Sequence, residues 1–518
     1  MATSKATDQA PADTSELYSA SEADVYSVFS VPVRRIITCL LGTATLASPL
    51  TATIYLPLLP LLSAHFGVSA QEINLTITVY IIFQALAPLV LSTFSDTLGR
   101  RPLILATFTV YTLASLGLAI NRSSYSGLLI LRAIQSLGSS AVLSICYGIV
   151  SDICVPSARG KMLGPVMAAA NLGTAIGPVV GGWIALSSGS VWWAFWALVI
   201  FGAVMVTALG VLLPETARNV VGNGQITDKV WNRPLVDLSE RGNTRTGSGD
   251  SHRSPPKRSL TFRSPLMSIK IMAYPDTSLI LWIVGSLYAL WYTVQSSIPS
   301  TYGRHPYNFD ELQIGLAYLP GSAGVIVCMY LTGRAMDYNY RVVAKQVGIE
   351  VDRVRGDDLA HFPIERARGR GCIWLLLASL AITVGYGWAI EEHVHVAMPL
   401  TFQFFMGFLC TWVLNCFNAL LVDGFPRMPS SAATAGNMIR CAMSAGAVAA
   451  TEPLFGAIGK GWFFTLAGIL TGVGGMAAVW ALNRRGMTWR SKRYQAEETT
   501  TALKDEALGA GNGSSVRA

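Results

Sequence analysis

Charge is what this sequence has least of. Asp, Glu, Lys and Arg make up 13% of its 518 residues, against about 25% in a soluble globular chain. Apolar residues account for 52%, so a water-soluble protein of several domains is excluded and much of the chain is written for a hydrocarbon solvent. The phosphate-cradling pattern G-x-x-x-x-G-K-[ST] is missing, which excludes a nucleotide-driven pump. The eight cysteines fall in or beside apolar runs without metal-ligand spacing to histidine, and they read as small apolar fillers. The six histidines sit in loops or at helix ends. No metal, no cofactor and no enzymatic constellation is expected.

What is present is a series of long apolar runs. Windows of about 20 residues with few charges fall at 36–62, 74–95, 102–120, 126–150, 163–185, 191–213, 277–298, 314–335, 372–390, 398–422, 431–452 and 461–482. All read as helices, because backbone polar groups in hydrocarbon must be satisfied within the segment and the alternation of a barrel is missing. The first 35 residues are polar and the first run is too long for a signal sequence, so no removable signal peptide is expected.

The net charge of +8 raises the question of nucleic acid, and the placement of the charges answers it. With twelve helices, all but five of the 38 Lys and Arg residues fall in the two tails or in loops on the same side. Arg122, Arg304 and Lys460 lie on the opposite side, and Arg132 and Arg440 inside helices. This asymmetry puts both termini in the cytoplasm and argues against a nucleic-acid partner. Between Pro214 and Asp276 the composition shifts to Arg, Lys, Ser, Gly and Pro, which cannot bury enough apolar surface to fold alone. The expected organisation is therefore a tail over 1–35, a six-helix bundle over 36–213, a linker over 214–276, a second bundle over 277–482 and a tail over 483–518.

The halves echo each other. "SDTLGRR" follows helix 2 and "GRAMDYNYR" follows helix 8; with Ser92 set against Gly333, Asp96 matches Asp337 and Arg100 matches Arg341 at identical spacing. The first segment resembles the loop pattern Gly-x-x-x-Asp-x-x-Gly-Arg-Lys/Arg of the major facilitator superfamily, through Asp96, Gly99, Arg100 and Arg101. Ser92 departs from the usual glycine. An acid at a helix end with arginines beyond it can form a charge relay across the seam between halves, broken when they rock apart. Asp96, Gly99, Arg100, Arg101, Asp337 and Arg341 are thus the expected gating residues; the alternative is a plain topogenic turn.

Further segments carry the resemblance. "LRAIQSLGSS" is similar to the family's pattern of an intramembrane arginine followed by glutamine, at Arg132 and Gln135. "GTAIGPVVGG" matches the antiporter signature of helix 5 at Gly173, Gly177, Pro178, Gly181 and Gly182, and "LPETAR" closes helix 6 as in fungal members of the twelve-helix drug:proton antiporter branch. Glycines spaced by four make a face for close helix contact. Together with "TITVYIIFQALAP" and "FPIERAR", these segments resemble the fungal citrate exporters and related metabolite and multidrug exporters of that branch. The resemblance implies an all-α membrane fold of two pseudo-symmetric six-helix bundles and secondary transport driven by the proton gradient.

The acids Asp96, Asp152, Glu215, Asp423 and Glu452 all lie toward helix ends; what lies deep is positive. Arg440 is about nine residues into helix 11, or about 14 Å, close to the midplane. Asn437 and Ser444 share its face. Tyr288, Trp291, Tyr292 and Gln295 form a stripe on helix 7; Asn415 and Asn418 come from helix 10, and Tyr80 and Gln84 from helix 2. The expected substrate site is Arg132, Gln135, Arg440, Asn437, Gln84, Tyr292, Asn415 and Asn418, two cations from different halves suited to a carboxylate. For the aromatics, interhelical packing is an equal alternative.

The reading is a proton-coupled exporter of a small organic acid, citrate-like, or of an acidic secondary metabolite. Its alternatives are a broad drug:proton antiporter and a non-transporting nutrient sensor. The expected setting is a monomer in the plasma membrane, with the vacuolar membrane as the alternative, and the expected partners are an anionic small molecule and the lipid bilayer.

Overall fold

The computed structural model describes residues 29–154, 159–221, 263–348, 362–425 and 428–514. Eleven helical runs among them are long and apolar enough to cross a membrane. The last is broken at Gly459, whose φ of +77° no helix contains, so it holds two passes. The passes are α1 (Val31–Phe66), α2 (Ala70–Leu98), α3 (Arg100–Ile120), α4 (Tyr125–Ile153), α5 (Arg159–Ser188), α6 (Trp192–Leu212), α7 (Pro275–Tyr302), α8 (Glu311–Val347), α9 (Ile364–Glu391), α10 (Ala397–Asp423), α11 (429–458) and α12 (460–514). The fold is all-α among the described residues, as expected.

Local chemistry sets the breaks. In α1, Pro57 and Pro60 remove two helical donors, and the chain tightens into a 3-10 turn over Leu56–Leu58. Ser69 and Glu72 form a capping box that starts α2, and Asp310 and Gln313 form another that starts α8. Two helices run well past their apolar windows: α8 continues to Val347 and α12 to Ser514. An apolar window marks where hydrocarbon ends, whereas a helix ends where its residues stop it, for α8 at Gly348 with φ +78°. The expected linker falls largely outside the described residues; its described ends form short helices, Arg218–Val221 and Arg263–Met272.

Two apolar cores organise the molecule, one built from α1–α6 and the other from α7–α12. Ile298, Tyr302, Tyr318, Cys441 and Val448 belong to the second half by sequence yet are buried in the first core. Those from α7 and α8 lie at the end of the molecule remote from the termini, called here the far end. There α5 packs against the start of α8, and α2 runs along α11. The far end is therefore shut, apart from a cavity of about 230 Å³ between α1, α2, α7 and α11 that Arg304 and Glu452 help line.

The helix 5 signature makes this closure. A side-chain carbon on Gly177 or Gly181 would collide with Thr53 or the Ile54 carbonyl of α1, and one on Gly182 with the Glu311 carbonyl of α8. From the other side, a Cβ on Gly315 would come within 2.6 Å of the Pro178 carbonyl oxygen. Gly173 lies against Leu46 and Pro49. One run of small residues thus serves two helices, one in each half.

Candidate substrate site

Arg440 stands on the face of α11 that turns toward the first half. Its Nη2 donates to Asn437 Oδ1 one turn earlier, at 2.7 Å, and its backbone carbonyl accepts from Ser444 Oγ at 2.8 Å. The guanidinium lies over the Tyr288 ring, 4.5 Å from its centroid, and Tyr292 packs on Tyr288 at 4.9 Å. Two rings one helical turn apart on α7 form a floor beneath the charge. Arg440 Nε is buried without a hydrogen-bond partner, and no described acid pairs with this arginine.

The first half meets this group through α2. Asn437 Nδ2 donates to the Gln84 backbone carbonyl at 3.4 Å, and Gln84 Nε2 donates to Ser48 Oγ at 3.4 Å. Gln84 Oε1 is buried and unpartnered. Tyr147 of α4, 42% exposed, lies within Coulombic range of Arg440. Its hydroxyl donates to Met167 Sδ of α5 at 3.0 Å.

Arg132 is elsewhere. It is 0% exposed, inside the first core, with its guanidinium between the Tyr55 ring at 4.2 Å and the Tyr80 ring at 4.4 Å. Its Nη1 donates to Gln135 Oε1 at 2.9 Å and to the Thr51 carbonyl at 3.4 Å, and Gln135 Nε2 donates to Ser115 Oγ at 2.9 Å. Arg132 and Gln135 are brought together inside the first core, apart from the group around Arg440. In this structure the Tyr55 and Tyr80 rings cover Arg132, since two aromatic faces stabilise a guanidinium in low dielectric when no acid is at hand, and its Nε and Nη2 are, like Arg440 Nε, buried without a hydrogen-bond partner.

The other expected residues divide. Gln84, Asn437 and Tyr292 gather around Arg440. Asn415 and Asn418 are half-buried on α10, and Asn418 faces Gly436, one turn of α11 from Arg440. Trp291 packs against Gly321 and Gly407 instead, and Gln295 is buried with its carbonyl accepting from Tyr318 Oη at 2.9 Å. Tyr147 was not expected at the site; it is one of many aromatics in apolar runs, and nothing in the local sequence distinguishes it.

The gating residues lie at the other end, near the termini. Arg100 Nε pairs with Asp152 Oδ2 of α4 at 3.0 Å, and its Nη1 donates to Ser95 Oγ at 2.9 Å. The Glu215 carboxylate accepts from the backbone N–H of Arg100 at 2.9 Å and of Arg101 at 3.2 Å, capping α3 where the helix dipole favours an anion. Gly99, at φ +110°, is where a Cβ would lie 2.5 Å from that carboxylate. Arg101 Nη2 donates to the Gly210 carbonyl at 2.6 Å.

In the second half Arg368, ahead of the membrane part of α9, pairs with Asp423 of α10 at 3.0 Å, repeating the Arg100–Asp152 arrangement between equivalent helices. Arg341 is therefore not the spatial match of Arg100: it lies within α8, exposed, its Nε donating to the Asp337 carbonyl at 3.2 Å. The described partners of Arg100 and Arg101 belong to their own half. The Asp96 side chain lies outside the described residues.

Comparison with known proteins agrees with this architecture. The profile described as Major Facilitator Superfamily matches residues 41–450. The chain is 34% identical to "MFS-type transporter phiD" of a fungal species, over 93% of this chain and 73% of that one. It is 33% identical to "MFS-type transporter tstD" of Talaromyces stipitatus, over 93% and 87%. It is 32% identical to "Citrate exporter 1" of Aspergillus niger, over 91% and 90%. Among solved structures, the human organic anion transporter MFSD10 (TETRAN) shares the fold at a TM-score of 0.52 with 18% identity, covering 86% of this chain and 99% of that one. Twelve passes, paired apolar cores and these matches together make the chain a member of the major facilitator superfamily, a multi-pass membrane transporter of the fungal type and not an enzyme.

Proposed function

We propose that the protein exports a small anionic metabolite in exchange for protons. The observation that carries this reading is Arg440: a guanidinium near mid-depth, between the halves, with a free Nε and no described acid partner. A cation so placed costs several kcal/mol in hydrocarbon, and a carboxylate from the substrate offsets that cost. One arginine with an amide neighbour and an aromatic floor suits a mono- or dicarboxylate bearing an apolar body better than a compact tricarboxylate. The likeness to a citrate exporter supports the acid, and the Tyr288–Tyr292 floor supports the apolar body. The test is pH-gradient-driven transport in proteoliposomes. Arg440→Ala is expected to lower acid transport at least tenfold, with Arg440→Lys intermediate because it restores charge without the planar fork; undiminished transport in Arg440→Ala refutes the reading.

The same aromatic floor favours a second reading, a broad drug:proton antiporter that stacks flat neutral or cationic toxins. Overexpression separates the two: protection against such toxins with unchanged acid export selects the second.

A further inference from the structure

The groups around Arg440 include an acceptor as well as a donor. Asn437 is bound on both sides, its Oδ1 by Arg440 and its Nδ2 to α2 of the other half at the Gln84 carbonyl. On one side of this bridge Arg440 Nε is a buried donor without a partner; on the other, Gln84 Oε1 is a buried acceptor without one. A buried polar atom left unpaired costs about 1–3 kcal/mol, and here the two atoms are of opposite kind, joined through one asparagine.

A plain carboxylate supplies only acceptors. It satisfies Arg440 and leaves Gln84 Oε1 facing a second oxygen. A ligand with a hydroxyl on the carbon beside the carboxylate supplies an acceptor to the guanidinium and a donor to the amide oxygen. In this structure Ser48 Oγ holds Gln84 Nε2, and Oε1 is the amide atom left free for a donor.

Resting on the proposed transport of anions through Arg440, we infer that Gln84 reads a hydroxyl group, so that the acids taken at this site are hydroxy acids, held with carboxylate on Arg440 and hydroxyl on Gln84 Oε1. Because the ligand then touches α11 and α2 together, its binding draws on both halves.

The test uses two acid pairs that differ by one hydroxyl, malate with succinate and citrate with tricarballylate, titrated against the purified full chain and read by thermal shift. The wild type is expected to bind each hydroxy acid about tenfold more tightly than its deoxy partner. In Gln84→Leu and Gln84→Met, two apolar replacements of similar size, the ratio is expected to fall to about one through weakening of the hydroxy acid. Equal binding of both members by the wild type overturns this inference and leaves the anion reading standing. A preference that survives both substitutions overturns the assignment to Gln84. Failure of the wild type to bind any of the four acids overturns this inference, while the anion reading falls only if Arg440→Ala leaves transport undiminished.

Discussion

Arg132 shows how an intramembrane charge can be kept without an acid. Its guanidinium faces lie on Tyr55 and Tyr80, and the hydroxyls of those rings are themselves engaged, Tyr55 with Thr76 at 2.8 Å and Tyr80 with the Ser48 carbonyl and Ser139 at 3.0 Å. Ring and hydroxyl therefore contribute separately. Tyr80→Phe keeps the ring and is expected to cost about 1 kcal/mol of unfolding free energy. Tyr80→Leu also loses a desolvated cation–π contact of about 2 kcal/mol and is expected to cost about 3 kcal/mol in all; equal losses in chemical unfolding of the two variants would show that the ring does not hold Arg132. The sequence made Arg132 legible as a deep charge through its position in an apolar run. Its surroundings were not legible, because Tyr55 and Tyr80 come from α1 and α2 and only the packing of three helices decides whether a guanidinium meets rings or an opening. Arg440 was readable further, since Asn437 and Ser444 lie on its own helix and share its face by spacing alone.

At the scale of elements, α5 and α8 cross so closely that backbone meets backbone between the halves. Their glycines differ sharply in what surrounds them: a Cβ on Gly315 would press on the Pro178 carbonyl, whereas Gly333, farther along α8, has nothing within 4 Å. Gly315→Ala is expected to prop the far end apart and reduce transport in proteoliposomes about tenfold or more. Gly333→Ala is expected to keep transport and to gain about 0.5–1 kcal/mol of helix stability. Equal activity of the two variants would mean that the α5–α8 crossing tolerates a wedge. The helix 5 glycines were legible as a contact face from their spacing, but not their division between α1 and α8. The match of Arg341 to Arg100 followed sequence order, and the structure separates the two because α8 runs on as helix where α2 stops at Gly99. The corresponding ion pairs, Arg100–Asp152 and Arg368–Asp423, became visible only once equivalent helices could be laid on each other.

For the molecule as a whole, closure at the far end leaves the face that carries the termini as the direction of access, on which an exposed Tyr147 of α4 near Arg440 can report. The far-end seam is backbone against backbone at Gly182 and Gly315, while the described ion pairs at the near end join helices within each half and not across it. Rocking about the middle then exchanges a tight seam for an open one, with Arg440 and Gln84 at the pivot. In this conformation a membrane-impermeant thiol reagent is expected to modify Tyr147→Cys from the face that carries the termini and not from the opposite face. Cys39 is the one exposed cysteine of the eight, so the substitution is made in a Cys39→Ser background. A wedge at Gly315 is expected to reverse the pattern, since propping open the far end closes the near one. Labelling of Tyr147→Cys from both faces at equal rate, in the presence of intact Gly315, would mean that the far-end seam opens as readily as the near one and that the packed α5–α8 crossing does not hold the resting conformation.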